Sequence, residues 1–152
     1  MSRKYKAGSH RSAAMLLPPS VEDYVSQHNS VRAIDAYVNT LDLHALGFGN
    51  TAARHGSGQP AYAPSMLLKL YLYGYTNRFH SSRRLEGETW RNLEVIWLVE
   101  ALRPSYKTIA DFRRDNAAAL KQVNKDFVLL CKSLALFGGE ECAVDGSFFG
   151  SM

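Results

Sequence analysis

Residues 64–102 read PSMLLKLYLYGYTNRFHSSRRLEGETWRNLEVIWLVEAL, and this stretch decides the fold. Met66, Leu67, Leu68, Leu70, Tyr71, Leu72 and Tyr75 are apolar almost all round a helical wheel. The segment opened by Pro64-Ser65 and running to about Asn77 is therefore expected to be a central, buried helix. His80-Ser81-Ser82 breaks it, and Ser81 or Ser82 is positioned to cap a short helix from about Arg83 to Trp90. Asn92 can cap another, covering Leu93 to Leu102, with Val95, Ile96, Trp97, Leu98 and Val99 as its apolar side. Trp90 and Trp97 are read as core aromatics rather than base-stacking groups.

Downstream, Pro104 ends that helix, and Ser105 or Lys107-Thr108 starts the next, through Asp111, Phe112 and Arg114. Residues 117–136 carry Leu120, Val123, Phe127, Leu130, Cys131 and Leu134 at spacings of three and four. They predict a long amphipathic helix with Gly138-Gly139 as its stop. The period then changes. Residues 141–149, ECAVDGSFF, are short, apolar and bounded by glycine, which predicts a β-strand. Upstream, Ser20 is a natural N-cap. Val21, Tyr24, Val25, His28, Val31, Ile34, Val38 and Leu41 recur at helical spacing, so residues 21–40 predict one amphipathic helix with a packed or partly buried His28. Residues 47–64, rich in glycine and proline, predict a loop without the glycine spacing of a nucleotide site. The expected fold is thus mainly α. It divides into a basic arm at 1–15, a multi-helical domain at 16–138 with a loop at about 47–64, and a terminal β-strand segment at 139–152.

The chain has 152 residues, 46% of them apolar, enough for a packed core. No apolar run is long enough to span a membrane, and the basic start leads into no signal-peptide pattern, so the cytoplasm is the expected compartment and no membrane partner is expected. Cys131 and Cys142 match no zinc spacing and read as small core residues. The net charge of +4 is unevenly spread: residues 65–132 hold twelve Lys or Arg against seven Asp or Glu, while residues 133–152 hold three acids and no base. An arm carrying Lys4, Lys6 and Arg11, together with a basic helical block, suits a polyanion such as DNA. The same charges are also compatible with an ordinary solvated helical surface.

Three segments carry candidate chemistry: residues 79–98, residues 104–116 (PSYKTIADFRRDN), and Ala143-Val144-Asp145-Gly146-Ser147. Lys107, Thr108, Arg113 and Arg114 lie at or near the ends of the short helix around 108–115. That helix and the one before it have the outline of a helix-turn-helix, from which Arg113 or Arg114 could reach guanine edges or phosphates. Arg83, Arg84 and Arg91 form a second basic cluster, with ion pairs to Glu86, Glu88 or Glu94 as its structural alternative. Asp145, before a glycine, reads either as a turn residue or as a carboxylate projecting from a strand end.

The ordered set S-x-R-x-L-E, R-N-x-E, W-L, L-x-P, Y-x-T-I-A-D-F-R-R-x-N and DG[ST] resembles the N-terminal region of bacterial insertion-sequence DDE transposases with an InsH-type domain. The likeness covers about residues 64–150, with weaker support at 15–60. It implies a helical DNA-binding domain that binds transposon ends, followed by an RNase H-like catalytic domain using three acids and Mg²⁺, of which Asp145 would be the first acid and a metal ligand. No residue here matches the other two acids, so the expectation is a domain truncated after its first strand. This chain alone is then expected not to cut or join DNA, and to need no cofactor of its own. Other readings are a protein-interaction module that forms homo-oligomers or inhibits a full-length transposase, and an inactive product of a decayed gene.

Overall fold

A computed structural model describes residues 5–14, 19–49 and 61–134. Within them the chain forms a 3-10 turn, Val21–Tyr24, and six α-helices: α1 Val31–Asn39, α2 Pro64–Asn77, α3 Ser82–Arg91, α4 Leu93–Leu98, α5 Tyr106–Asp115 and α6 Ala117–Leu134. The predicted strand at 141–149, the Gly138-Gly139 stop, Cys142 and most of the 47–64 loop lie outside the described residues.

Helix α2 is the axis of the core. Leu67, Leu68, Leu70, Leu72 and Tyr73 are buried, as their placement all round the wheel requires. Around it pack Val31, Ile34 and Val38 of α1, Leu85 of α3 and Val95 and Leu98 of α4, joined by Ile109 and Phe112 of α5 and Leu120, Val123 and Phe127 of α6. Lys69 is drawn into this helix and buried, its Nζ 2.7 Å from Asp35 of α1. A buried ammonium needs such a partner, so the pair also orients α1 against α2. Phe48 stacks on Phe112 at 5.9 Å between centroids, and Asn116 Oδ1 accepts the Gly49 N–H at 3.0 Å, which ties the loop start to the end of α5.

The caps follow the local sequence. Ser81 accepts the Arg84 N–H, Asn92 those of Glu94 and Val95, and Ser105 that of Thr108. Two expected helices are shorter. Residues 21–40 do not form one helix: the 3-10 turn ends at Tyr24 and α1 starts at Val31. Side chains satisfy the main chain in between, as Asn29 Oδ1 accepts the Val31 N–H at 2.8 Å and Arg32 donates to the carbonyls of Ser26 and Val25 at 2.8 and 2.7 Å. These local bonds offer the backbone an alternative to the helical ladder, and they leave His28 exposed rather than packed. The helix expected to reach Leu102 stops at Leu98. Glu100 and Ala101 adopt left-handed φ of 54° and 63°, and the Ala101 N–H closes the end on Ile96 O at 2.9 Å.

Candidate nucleic-acid interface

Helices α3 and α5 pack against each other, and between them carry Arg83, Arg84, Arg91, Lys107, Arg113 and Arg114, the candidate basic residues outside the arm. Two side-chain-to-backbone ties hold the pair. Glu86 Oε2 of α3 accepts the Tyr106 N–H at the first residue of α5, at 2.6 Å. Arg113 of α5 reaches back to the α2–α3 connection, where its Nη1 donates to His80 O and lies 3.5 Å from Ser82 Oγ, with Tyr71 beneath it. Arg113, expected to face DNA, is therefore engaged within the fold. A charge-assisted bond to a main-chain carbonyl fixes its direction.

The other candidates differ in how free they are. Thr108 is half-buried in the cap, its hydroxyl 3.2 Å from Ser105 Oγ. Arg114 is exposed, but Asp111 and Asp115 bracket it at 3.3 and 3.1 Å; the hydrogen bond to Asp115, then the charges of both carboxylates, hold its pKa above the ordinary value. Arg84 lies over the Phe79 ring and 3.8 Å from Glu88, and Arg91 donates to Glu88 at 2.7 Å. Lys107 is exposed in the first turn of α5. Arg83 is also exposed, with its guanidinium 4.0 Å from the Tyr106 centroid. Lys107 and Arg114 are seven residues apart on α5, and Arg84 and Arg91 seven apart on α3. Each pair thus shares one helix face, two turns apart.

The segment Asn92-Leu93-Glu94 serves the fold. Asn92 donates to Tyr73 Oη at 3.0 Å, Tyr73 donates to Glu94 Oε1 at 2.7 Å, and Asn29 donates to Glu94 Oε2 at 2.6 Å. Burial, followed by the bond to Glu94, raises the Tyr73 phenol well above its ordinary pKa. Glu88, also buried, is pushed up by burial, but hydrogen bonds from Arg91 and Asn92 and the charges of Arg91 and Arg84 outweigh this and hold it below its ordinary value.

Trp90 was expected in the core and is instead 60% exposed, with Arg103 stacked on it at 3.6 Å. Trp97 is half-buried against the core, and its indole N–H donates to Glu22 at 2.9 Å. Arg103 and Tyr106 stand on this surface without having been expected there. The spacing of Arg83, Gly87 and Trp90 at four and three, which defines a second face of α3, was the signal that could have found their partners. Asp145 lies outside the described residues. Among the described residues no three His, Cys, Asp or Glu side chains converge. No described helix is long and apolar enough to cross a membrane.

A family model described as a transposase domain (DUF772) matches residues 19–115, from just before the 3-10 turn to the end of α5. No curated protein and no solved structure gives a significant match.

Proposed function

The chain belongs to the DUF772 transposase-domain family, and from that membership we propose that it acts in DNA transposition by binding duplex DNA at transposon ends through α3 and α5. The observation that carries the reading is the solvent-facing cation set on these two helices: Arg83, Arg84 and Arg91 on α3, Lys107 and Arg114 on α5. It sits in the block of the sequence with the largest positive balance. A polyanion rewards such a set by releasing condensed counterions. In this reading α4, the connector at 99–105 and α5 act as the helix-turn-helix, and α5 enters the major groove. Lys107 and Arg114 then face DNA, while Thr108 and Arg113 hold α5 in place. Within a complete catalytic domain Asp145 would be the first of three acids holding divalent cations, which would stabilise the attacking and leaving oxygens in strand transfer.

The test is fluorescence anisotropy of the chain with duplexes taken from the ends of the element that encodes it, across a salt series. The expected result is binding that weakens as salt rises, with a log–log slope of about −0.9 per phosphate contact. An absence of binding even at low salt, where phosphate contacts are strongest, refutes the proposal.

A further inference from the structure

Most arginines of α1 to α6 are engaged by oxygen. Arg32, Arg84, Arg91 and Arg114 pair with carboxylates, and Arg113 donates to a carbonyl. Arg83 and Arg103 are different. Each guanidinium carbon lies over an aromatic ring, at 4.0 Å for Tyr106 and 3.6 Å for Trp90, and neither has a carboxylate partner among the described residues.

The two stacks are reciprocal. Arg83 of α3 rests on Tyr106 at the start of α5, while Arg103, just before α5, rests on Trp90 of α3. Arg83 and Trp90 are seven residues apart on one helix, so the stacks share a face about 10 Å apart along its axis. That is about three base-pair rises of duplex DNA. Both rings are exposed, Trp90 at 60% and Tyr106 at 40%. Packing of the core does not require them there.

Stacking a guanidinium on a ring restrains its long side chain and shields its face. Its N–H donors lie in the guanidinium plane and stay available at the edge. A restrained fork loses less freedom when it binds than a mobile one. Lys107, next to Tyr106, adds a further exposed cation, with no carboxylate paired to it among the described residues. Glu86 also touches this seam, but its carboxylate is engaged by the Tyr106 N–H at the α5 N-terminus.

We infer that the reciprocal stacks form a phosphate clamp, in which Arg83 and Arg103 hold backbone phosphates of duplex DNA and Tyr106 and Trp90 are the positioning residues that aim them. The clamp rests on the DNA-binding reading above and adds Arg103, Trp90 and Tyr106 to it. It sets the register of the domain on the duplex without reading sequence.

The experiment is anisotropy on transposon-end and scrambled duplexes, with far-UV circular dichroism melts to confirm folding of each variant. Arg83→Ala and Arg103→Ala are each expected to weaken binding about five- to tenfold on both duplexes and to reduce the salt slope by about one. Tyr106→Leu and Trp90→Leu, which change no charge, are expected to weaken it about two- to fivefold. Tyr106→Phe and Trp90→Phe, which keep a ring, restore near-parental affinity. Lys125→Ala, an exposed cation on α6, is the control for a general loss of charge. A parent chain that binds no duplex defeats the DNA-binding reading itself. If the parent binds, the clamp alone is overturned by arginine variants that match Lys125→Ala, by leucine variants that bind normally, or by a loss confined to the transposon-end sequence.

Discussion

Replacing Gly74 by alanine sets two opposed effects against each other at one site. Gly74 lies inside α2, and in a helix interior alanine is favoured over glycine by about 1 kcal/mol. Propensity alone therefore predicts a more stable protein. The structure predicts the opposite. A Cβ at position 74 would stand 2.8 Å from the Phe79 carbonyl oxygen and 2.9 and 3.2 Å from the Leu85 methyl carbons. Neither neighbour can yield cheaply. Leu85 is 1% exposed, and Phe79 belongs to the turn that closes α2, where its N–H donates to Gly74 O at 2.7 Å and Arg78 takes a left-handed φ of 63°. Overpacking of this kind costs about 1–3 kcal/mol, and the displaced turn adds to it, so the net expectation is a loss of about 1–2 kcal/mol. Equilibrium urea unfolding followed by far-UV circular dichroism measures it, and the midpoint should fall without a change of slope. Gly87→Ala is the matched comparison: it too is inside a helix, but a Cβ there meets nothing within 4 Å, so it should stabilise by about 0.5–1 kcal/mol. A Gly74→Ala protein as stable as the parent, or more stable, would show that the close approach of α2 to Leu85 and Phe79 is wrong.

Ala101→Gly should raise stability by about 0.5 kcal/mol in the same assay. The left-handed φ of 63° at this exposed position costs alanine about 1 kcal/mol or more, and glycine gives back part of that relief as unfolded-state entropy. Glu88 titrates below its ordinary value of 4.5 in the fold. Its contribution is therefore present above the unfolded pKa and is lost as pH falls through the folded one; Glu88→Gln should flatten stability against pH below about 4.5, read from urea midpoints. Arg113→Gln should cost about 1–3 kcal/mol of stability through the lost bond to His80 O, while leaving the DNA salt slope of the folded protein unchanged. A slope lowered by one would instead return Arg113 to the DNA surface.

What could be read without the fold was local. Ser81, Asn92 and Ser105 cap helices because their own side chains reach N–H groups two or three residues ahead. The all-round apolar pattern of α2 demanded burial, and the spacing in residues 117–136 demanded an amphipathic helix, described over Ala117–Leu134. The resemblance carried by the motifs from residue 64 onward led to the transposase-domain family that matches residues 19–115. Helix ends were less legible. The stop at Leu98 uses left-handed residues that are not glycine, and the break before α1 depends on the Asn29 and Arg32 side chains, so neither leaves the usual signal in composition.

The roles of the basic residues were decided by tertiary structure. Periodicity tells which side chains share a helix face, but not what covers that face. Arg113 and Arg114 are adjacent and look equivalent, yet the α2–α3 connection takes Arg113 while Arg114 stays in solvent between two aspartates. Asn92 and Glu94 look like a motif for chemistry and prove to be hydrogen-bonding partners of Tyr73 and Asn29. Trp90 looks like core and stands outside it, because its partner is Arg103, brought from beyond α4. Most helices from residue 64 onward, the apolar axis and the family were legible in the chain, since these follow from neighbours a few residues apart. The fold alone decided which cations are engaged and which face outward, since that depends on groups far apart in the chain meeting in space.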